Sequence, residues 1–176
     1  MKQTQNNSFG SQQVLSVIEQ YSTALDLLDA YDHQTMERPK GNEAAYVLTY
    51  EECMHVIACM RFGKESDLFG KEKDDSFKGS IGNIYQSFAG MEVYPTLEEK
   101  AAHLLYFVTK NHSFFDGNKR IAALPVYGHQ LSSDHWQTVH HSYQENTRTS
   151  PLTIMIAESR PDEMEMMITV VMNCMK

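Results

Sequence analysis

The feature that most constrains this chain is a strong helix that runs into a polar knot, with a second helical start directly behind it. Thr96-Leu97-Glu98-Glu99 has the T-x-x-E form of a capping box, in which hydroxyl and carboxylate each satisfy a backbone N–H of the other residue. Behind it Leu97, Ala101, Leu104, Leu105 and Val108 fall on one face, with Phe107 alongside, so the spacing predicts an amphipathic helix ending at Lys110-Asn111. Then comes His112-Ser113-Phe114-Phe115-Asp116-Gly117-Asn118-Lys119-Arg120, followed by Ile121-Ala122-Ala123-Leu124, the apolar start of another helix. The chain must therefore turn between two helices through a loop dense in polar groups.

A loop that feeds a helix N-terminus presents N–H groups and the positive end of the helix dipole, both of which favour an anion. Gly117 can adopt a left-handed conformation and lets a ligand approach the backbone. Asn118 suits the N-cap. Lys119 and Arg120 then fall in the first turn, where cations oppose the dipole unless a bound anion compensates them. His112 supplies an imidazole suited to act as general base toward a hydroxyl. Asp116 supplies a single carboxylate, which beside phosphate-binding groups suits Mg2+. Arg120 offers a bidentate fork to phosphate oxygens, Lys119 a mobile point charge, and Phe114 a peg that pins the loop to the core. Together these parts suit transfer of a phosphorus group from a nucleotide to a hydroxyl, where positioning and charge neutralisation carry the catalysis. A stray D-G-N is usually only a turn, and a lone histidine usually a core residue; the joint pattern on a helix–loop–helix frame favours the functional reading.

The string resembles the signature of the Fic/Doc family, H-x-F-x-(D/E)-(G/A)-N-(G/K)-R, at His112, Phe114, Asp116, Gly117, Asn118, Lys119 and Arg120. Residues 94–105 are similar to that family's lead into the helix before the motif, and from about 68 to 123 and again over 154–161 the chain resembles the carboxyl half of RhuM-type virulence-associated proteins. The resemblance implies an all-α Fic-fold helical bundle with a small β-hairpin flap before the motif helix. It implies His112 as general base, Asp116 as the Mg2+ ligand, and Gly117, Asn118, Lys119 and Arg120 as the phosphate-binding nest for ATP, the substrate nucleotide. Residues 87–94 occupy the position of the flap that holds a target peptide by strand addition, which makes Phe88, Gly90, Met91, Glu92 and Val93 the expected docking segment for a protein carrying a Ser, Thr or Tyr hydroxyl. From the residues alone, an ordinary connecting loop is an equal reading.

Two departures bear on the reaction. Members that transfer AMP usually have glycine where this chain has Lys119 and a second arginine where it has Ala123. The Doc branch has the lysine, lacks the arginine and transfers a phosphoryl group. Phosphoryl transfer is therefore the first reading, with AMP transfer by the same site as the alternative. The family's self-inhibitory motif, (S/T)-x-x-x-E-(G/N), is not intact, since Ser159 to Glu163 is followed by Met164. A separate antitoxin-like partner is then the expected restraint.

The rest of the chain frames the motif. Val14, Leu15, Ile18, Tyr21, Leu25 and Leu28 predict a helix from Ser11 to about Tyr31-Asp32, behind a polar, flexible start over residues 1–10. Thr49-Tyr50-Glu51-Glu52 is a second capping box, opening a helix through Cys53, Ile57 and Met60 that stops at Gly63. Residues 63–75 read as a charged, solvated loop. Phe77, Ile81, Ile84, Tyr85 and Phe88 repeat at helical spacing, although Gly79 and Gly82 each cost about 1 kcal/mol against alanine in a helix. Pro161 fits the first turn of a last helix whose core face carries Met164, Met167, Ile168, Val171 and Met172.

Residues 124–152 break the pattern. Pro125 lies in what should be the second turn after the motif, Gly128 follows, and the histidines beyond have no standard metal spacing. A stretch that loses and regains the family pattern resembles a local reading-frame change, which resequencing of those codons tests. It also motivates a third reading, a catalytically inactive remnant or binding module. At 176 residues with 41% hydrophobic content, residues 11–176 are expected to form one domain. A net charge of −8 argues against a nucleic-acid footprint. Three cysteines without metal spacing, a start without an apolar signal region and no membrane-spanning length predict a reduced, cytoplasmic protein.

Overall fold

The structure is a computed structural model that describes residues 22, 25–44, 47–60, 66–123 and 149–175. The chain divides into two compact units, Met1–Glu37 and Arg38–Lys176. In the first, residues 25–32 are helical and the helix ends at Tyr31-Asp32, where the sequence places its stop. The polar start over 1–10 and the opening of that helix at Ser11 lie outside the described residues.

In the second unit α1 (Tyr50–Cys59) opens on the predicted capping box: the Thr49 N–H donates to the Glu52 carboxylate at 2.9 Å, and the Glu52 N–H to the Thr49 hydroxyl at 3.3 Å. Next, α2 (Ser76–Ile84) buries Phe77, Ile81 and Ile84. Its glycines have open space where a Cβ would stand, so they weaken the helix only through intrinsic propensity. Phe88, read from spacing as part of that stripe, instead lies beyond the helix and is 78% exposed. It belongs to a hairpin, β1 (Ser87–Phe88) and β2 (Met91–Glu92), paired antiparallel with Ser87 opposite Glu92. Ala89 and Gly90 link the strands at φ 52° and 80°, the two left-handed residues that a tight hairpin turn requires.

The organising helix is α3 (Leu97–Asn111), opened by Thr96 and Glu99 in the predicted capping box. Its Ala101, Ala102, Leu104, Leu105 and Val108 are buried, and it packs against α2 and against α4 (Asn118–Ala122), α5 (Thr149–Glu158) and α6 (Met164–Cys174). Pro161 opens a short 3-10 turn, Pro161–Glu163, that leads into α6, where Met167, Ile168, Val171 and Met172 form the buried face. Among the described residues the architecture is all-α apart from the one hairpin, as expected. Residues 124–148 of the atypical stretch lie outside the described residues; 149–152 begin α5.

Candidate functional site

His112 caps the C-terminus of α3 in the left-handed conformation, φ 48° and ψ 47°, with its ring exposed. That backbone state is normally left to glycine at a helix C-terminus. The chain then turns inward. Ser113 is 1% exposed, and Phe114 is completely buried with its ring edge-on to Phe77 at 4.8 Å between centroids. Phe115 turns outward again, and Asp116 is half-buried.

A segment that the sequence reading left as solvated holds this loop in place. The Gly70 N–H donates to the Asp116 carbonyl at 3.2 Å, Phe115 N–H to the Lys71 carbonyl at 2.9 Å, and Lys73 N–H to the Ser113 carbonyl at 2.8 Å. Lys71, Lys73, Asp74 and Asp75 are exposed, as read; their backbone nonetheless forms a strand-like support for the motif. Glu72 lies within this support and accepts a 2.5 Å bond from the Tyr50 hydroxyl, which pushes the Tyr50 phenol up to about 12 and keeps it protonated.

The start of α4 differs from expectation in one detail. Gly117, at φ 91°, is the N-cap, and Asn118 is the first helical residue. The Asn118 side chain points back into the loop: its Oδ1 accepts the Phe114 N–H at 2.8 Å and its Nδ2 donates to the Phe114 carbonyl at 2.6 Å. The amide is thus a clamp on the peg residue rather than a cap. Gly117 is required twice over, by its positive φ and because an added Cβ would stand 2.3 Å from the Phe69 ring. The same Phe69 ring lies 4.5 Å beneath the Arg120 guanidinium, a cation–π seat for that side chain. Phe69 was missed by sequence reasoning because a single phenylalanine in a glycine-punctuated loop carries no periodic signal.

His112, Lys119 and Arg120 are exposed around this bend, and Asp116 stands between them in sequence at half-burial. The first backbone bond within α4 runs from the Ile121 N–H to the Gly117 carbonyl at 2.9 Å, so the helix begins directly at the glycine. The loop, the glycine turn and the two cations are therefore assembled in one place.

The hairpin is anchored elsewhere on α3. Lys100 is 3% exposed; its ammonium donates to the Glu92 carboxylate at 2.6 Å and to the Tyr94 carbonyl. One turn on, the His103 ring stacks on Tyr94 at 3.7 Å and its Nδ1 bonds the Glu99 carbonyl at 2.7 Å; burial lowers its pKa. Phe88, Met91 and Val93 are exposed at 78%, 70% and 43%, and Gly90 is at the exposed tip. Twelve residues separate Lys100 from His112, about 18 Å along the helix axis at 1.5 Å per residue.

Comparison with known proteins adds one decisive observation. The model of the Fic/DOC family matches residues 49–126, the interval from the first capping box through the motif and the start of α4. Residues 49–126 form a Fic/DOC domain. The chain is also similar to Toxin Doc of Mycolicibacterium smegmatis, 43% identical over 51 residues, which is 26% of this chain and 39% of that protein. The matched part thus spans about two fifths of the curated relative's length. No solved structure matches the chain. Among the described residues of the Fic/DOC domain and its surroundings, no helix is long and apolar enough to cross a membrane.

Proposed function

We propose that this site transfers the γ-phosphoryl group of a nucleoside triphosphate, ATP in the first instance, to a hydroxyl of a protein target. The single observation that carries the proposal is the bend itself: an exposed left-handed histidine and a left-handed glycine bracket a pinned loop that opens into Lys119 and Arg120. His112 accepts the proton of the target hydroxyl as its oxygen bonds to the γ-phosphorus; the bond to the β–γ bridging oxygen breaks and the nucleoside diphosphate leaves. Gly117 makes the left-handed turn that starts α4 against the Phe69 ring, Lys119 and Arg120 neutralise the phosphates, and Asn118 holds the loop in register through Phe114.

The donor set fits Mg2+. Among the described residues no group of three or more His, Cys, Asp or Glu side chains gathers for a metal, so Asp116 brings a single carboxylate. That is the contribution Mg2+ takes from protein when nucleotide oxygens and water complete its shell. Bound there, it would neutralise charge on the nucleotide phosphates.

Lys119 in place of glycine and Ala123 in place of a second arginine support phosphoryl over AMP transfer. The likeness to a protein named Toxin Doc supports a toxin-like role, and the broken self-inhibitory motif over Ser159 to Met164 supports a separate antitoxin-like partner. It is supported by Glu163, whose carboxylate accepts the Arg160 N–H at 2.7 Å and so caps its own turn.

Purified protein with Mg2+ and a cell lysate, given ATP labelled at either the γ or the α position, tests the reading. Label on protein from the γ position supports phosphoryl transfer. Label from the α position replaces it with AMP transfer. Neither, from folded protein, leaves the remnant or binding-module reading.

A further inference from the structure

The left-handed backbone of His112 calls for a cause. A non-glycine residue in that state is strained and persists only where its surroundings over-determine it. Those surroundings are two serines of α2. On one side of His112, the Asn111 Nδ2 donates to the Ser80 hydroxyl at 3.0 Å. On the other side, the Ser76 hydroxyl donates to the Ser113 hydroxyl at 2.8 Å. The Ser80 hydroxyl in turn donates to the Ser76 carbonyl at 2.8 Å, which joins the two contacts into one chain. Ser80 and Ser113 are each 1% exposed, so the inner end of each contact is buried.

We infer that Ser76 and Ser80 are positioning residues for His112: they grip its two chain neighbours and so hold the backbone that aims the imidazole. The last turn of α3, with Asn111, lies against α2, and the serine spacing of four places both hydroxyls on the side of α2 that faces it. The functional part of this inference rests on the transferase reading; the structural part does not.

The test uses the full chain with Ser76→Ala, Ser80→Ala and the double variant, and with Ser76→Thr, which keeps a hydroxyl. Two quantities are read. The first is the His112 Cα and Cβ chemical shifts, which report its backbone state without any substrate. The second is the maximal rate of label transfer from ATP to lysate protein, with the KM for ATP. The expected result is a shift of the His112 resonances away from left-handed values in the double variant. With it should come a loss of maximal rate of roughly ten- to a hundred-fold, the scale of an ångström-level misplacement, at unchanged KM for ATP and with Ser76→Thr near wild type. His112 shifts unchanged in the double variant overturn the inference outright. So does a rate loss matched by an equal rise in the KM for ATP, which would mark general damage. If the wild-type protein transfers no label, the transferase reading fails, and the shifts alone still decide whether the serines hold His112. Should the double variant fail to fold, the single variants give the same two readings.

Discussion

Asn118 offers the sharpest test of how the motif loop is built. Replacing it by alanine removes two hydrogen bonds, to the N–H and the carbonyl of Phe114, at 2.8 and 2.6 Å. Each such bond has a net worth of about 0.5–1.5 kcal/mol, and a part-buried backbone group left without a partner adds to the loss. The pair therefore comes to about 2–3 kcal/mol. For a chain of this size each kcal/mol moves Tm by about 2–4 °C, so Asn118→Ala should lower it by about 5–10 °C. Asn118→Asp is the informative companion. It keeps an acceptor for the Phe114 N–H but turns the donor into an oxygen facing a carbonyl, so near neutral pH it should melt no higher than the alanine variant. Calorimetric melts of the three proteins measure this. An unchanged Tm for Asn118→Ala, or an aspartate variant as stable as wild type, would refute the clamp.

Three further outcomes follow from other parts of the structure. Gly117→Ala places a Cβ 2.3 Å from the Phe69 ring at φ 91°; the left-handed penalty and forced repacking should together cost about 2–5 kcal/mol in urea unfolding, and a neutral result would contradict the close approach. Lys100→Met should leave the α3 core amides protected while the amides of residues 88–93 exchange faster, because a two-stranded hairpin alone is marginal in water; equal hairpin protection in hydrogen exchange would deny the anchor. Burial holds the His103 pKa below its usual 6.5, so the unfolded chain takes up this proton first as pH falls. Its neutral, buried state therefore contributes full stability above that value, and the contribution is lost as pH drops below it, by at most about 1.4 kcal/mol per pH unit. His103→Phe should flatten that acid-side slope in unfolding measured from pH 7.5 down to 5.5; an identical slope in variant and wild type would refute it.

Much of the fold was legible because its signals are local. Thr49 with Glu52, and Thr96 with Glu99, are capping boxes whose partners are three residues apart, and both helices open on them. The face of α3 follows the 3.6-residue period, whereas the residues alone left the Ala89-Gly90 hairpin level with an ordinary loop, and the family resemblance pointed to it. The motif was legible for the same reason, since His112 to Arg120 are contiguous. What escaped was non-local. Phe69 and the backbone of residues 70–73 meet the motif across forty or more positions, and no periodicity reports a strand-like pairing that short. The Asn118 side chain had two uses open to it, capping and clamping, and only the position of the Phe114 backbone selects between them. Lys100 reads as a surface cation in an amphipathic helix, and its burial depends on where the hairpin folds back.

The account turns on His112 acting over the Gly117–Arg120 cradle, and one measurement addresses that directly: the rate of γ-label transfer from ATP to lysate protein by the wild-type chain and by His112→Ala, with circular dichroism confirming that both are folded. His112 is exposed, so the variant should fold normally and lose transfer by at least about a hundred-fold, the scale of general-base catalysis. Transfer by His112→Ala at the wild-type rate, or none by a folded wild-type protein, would contradict it.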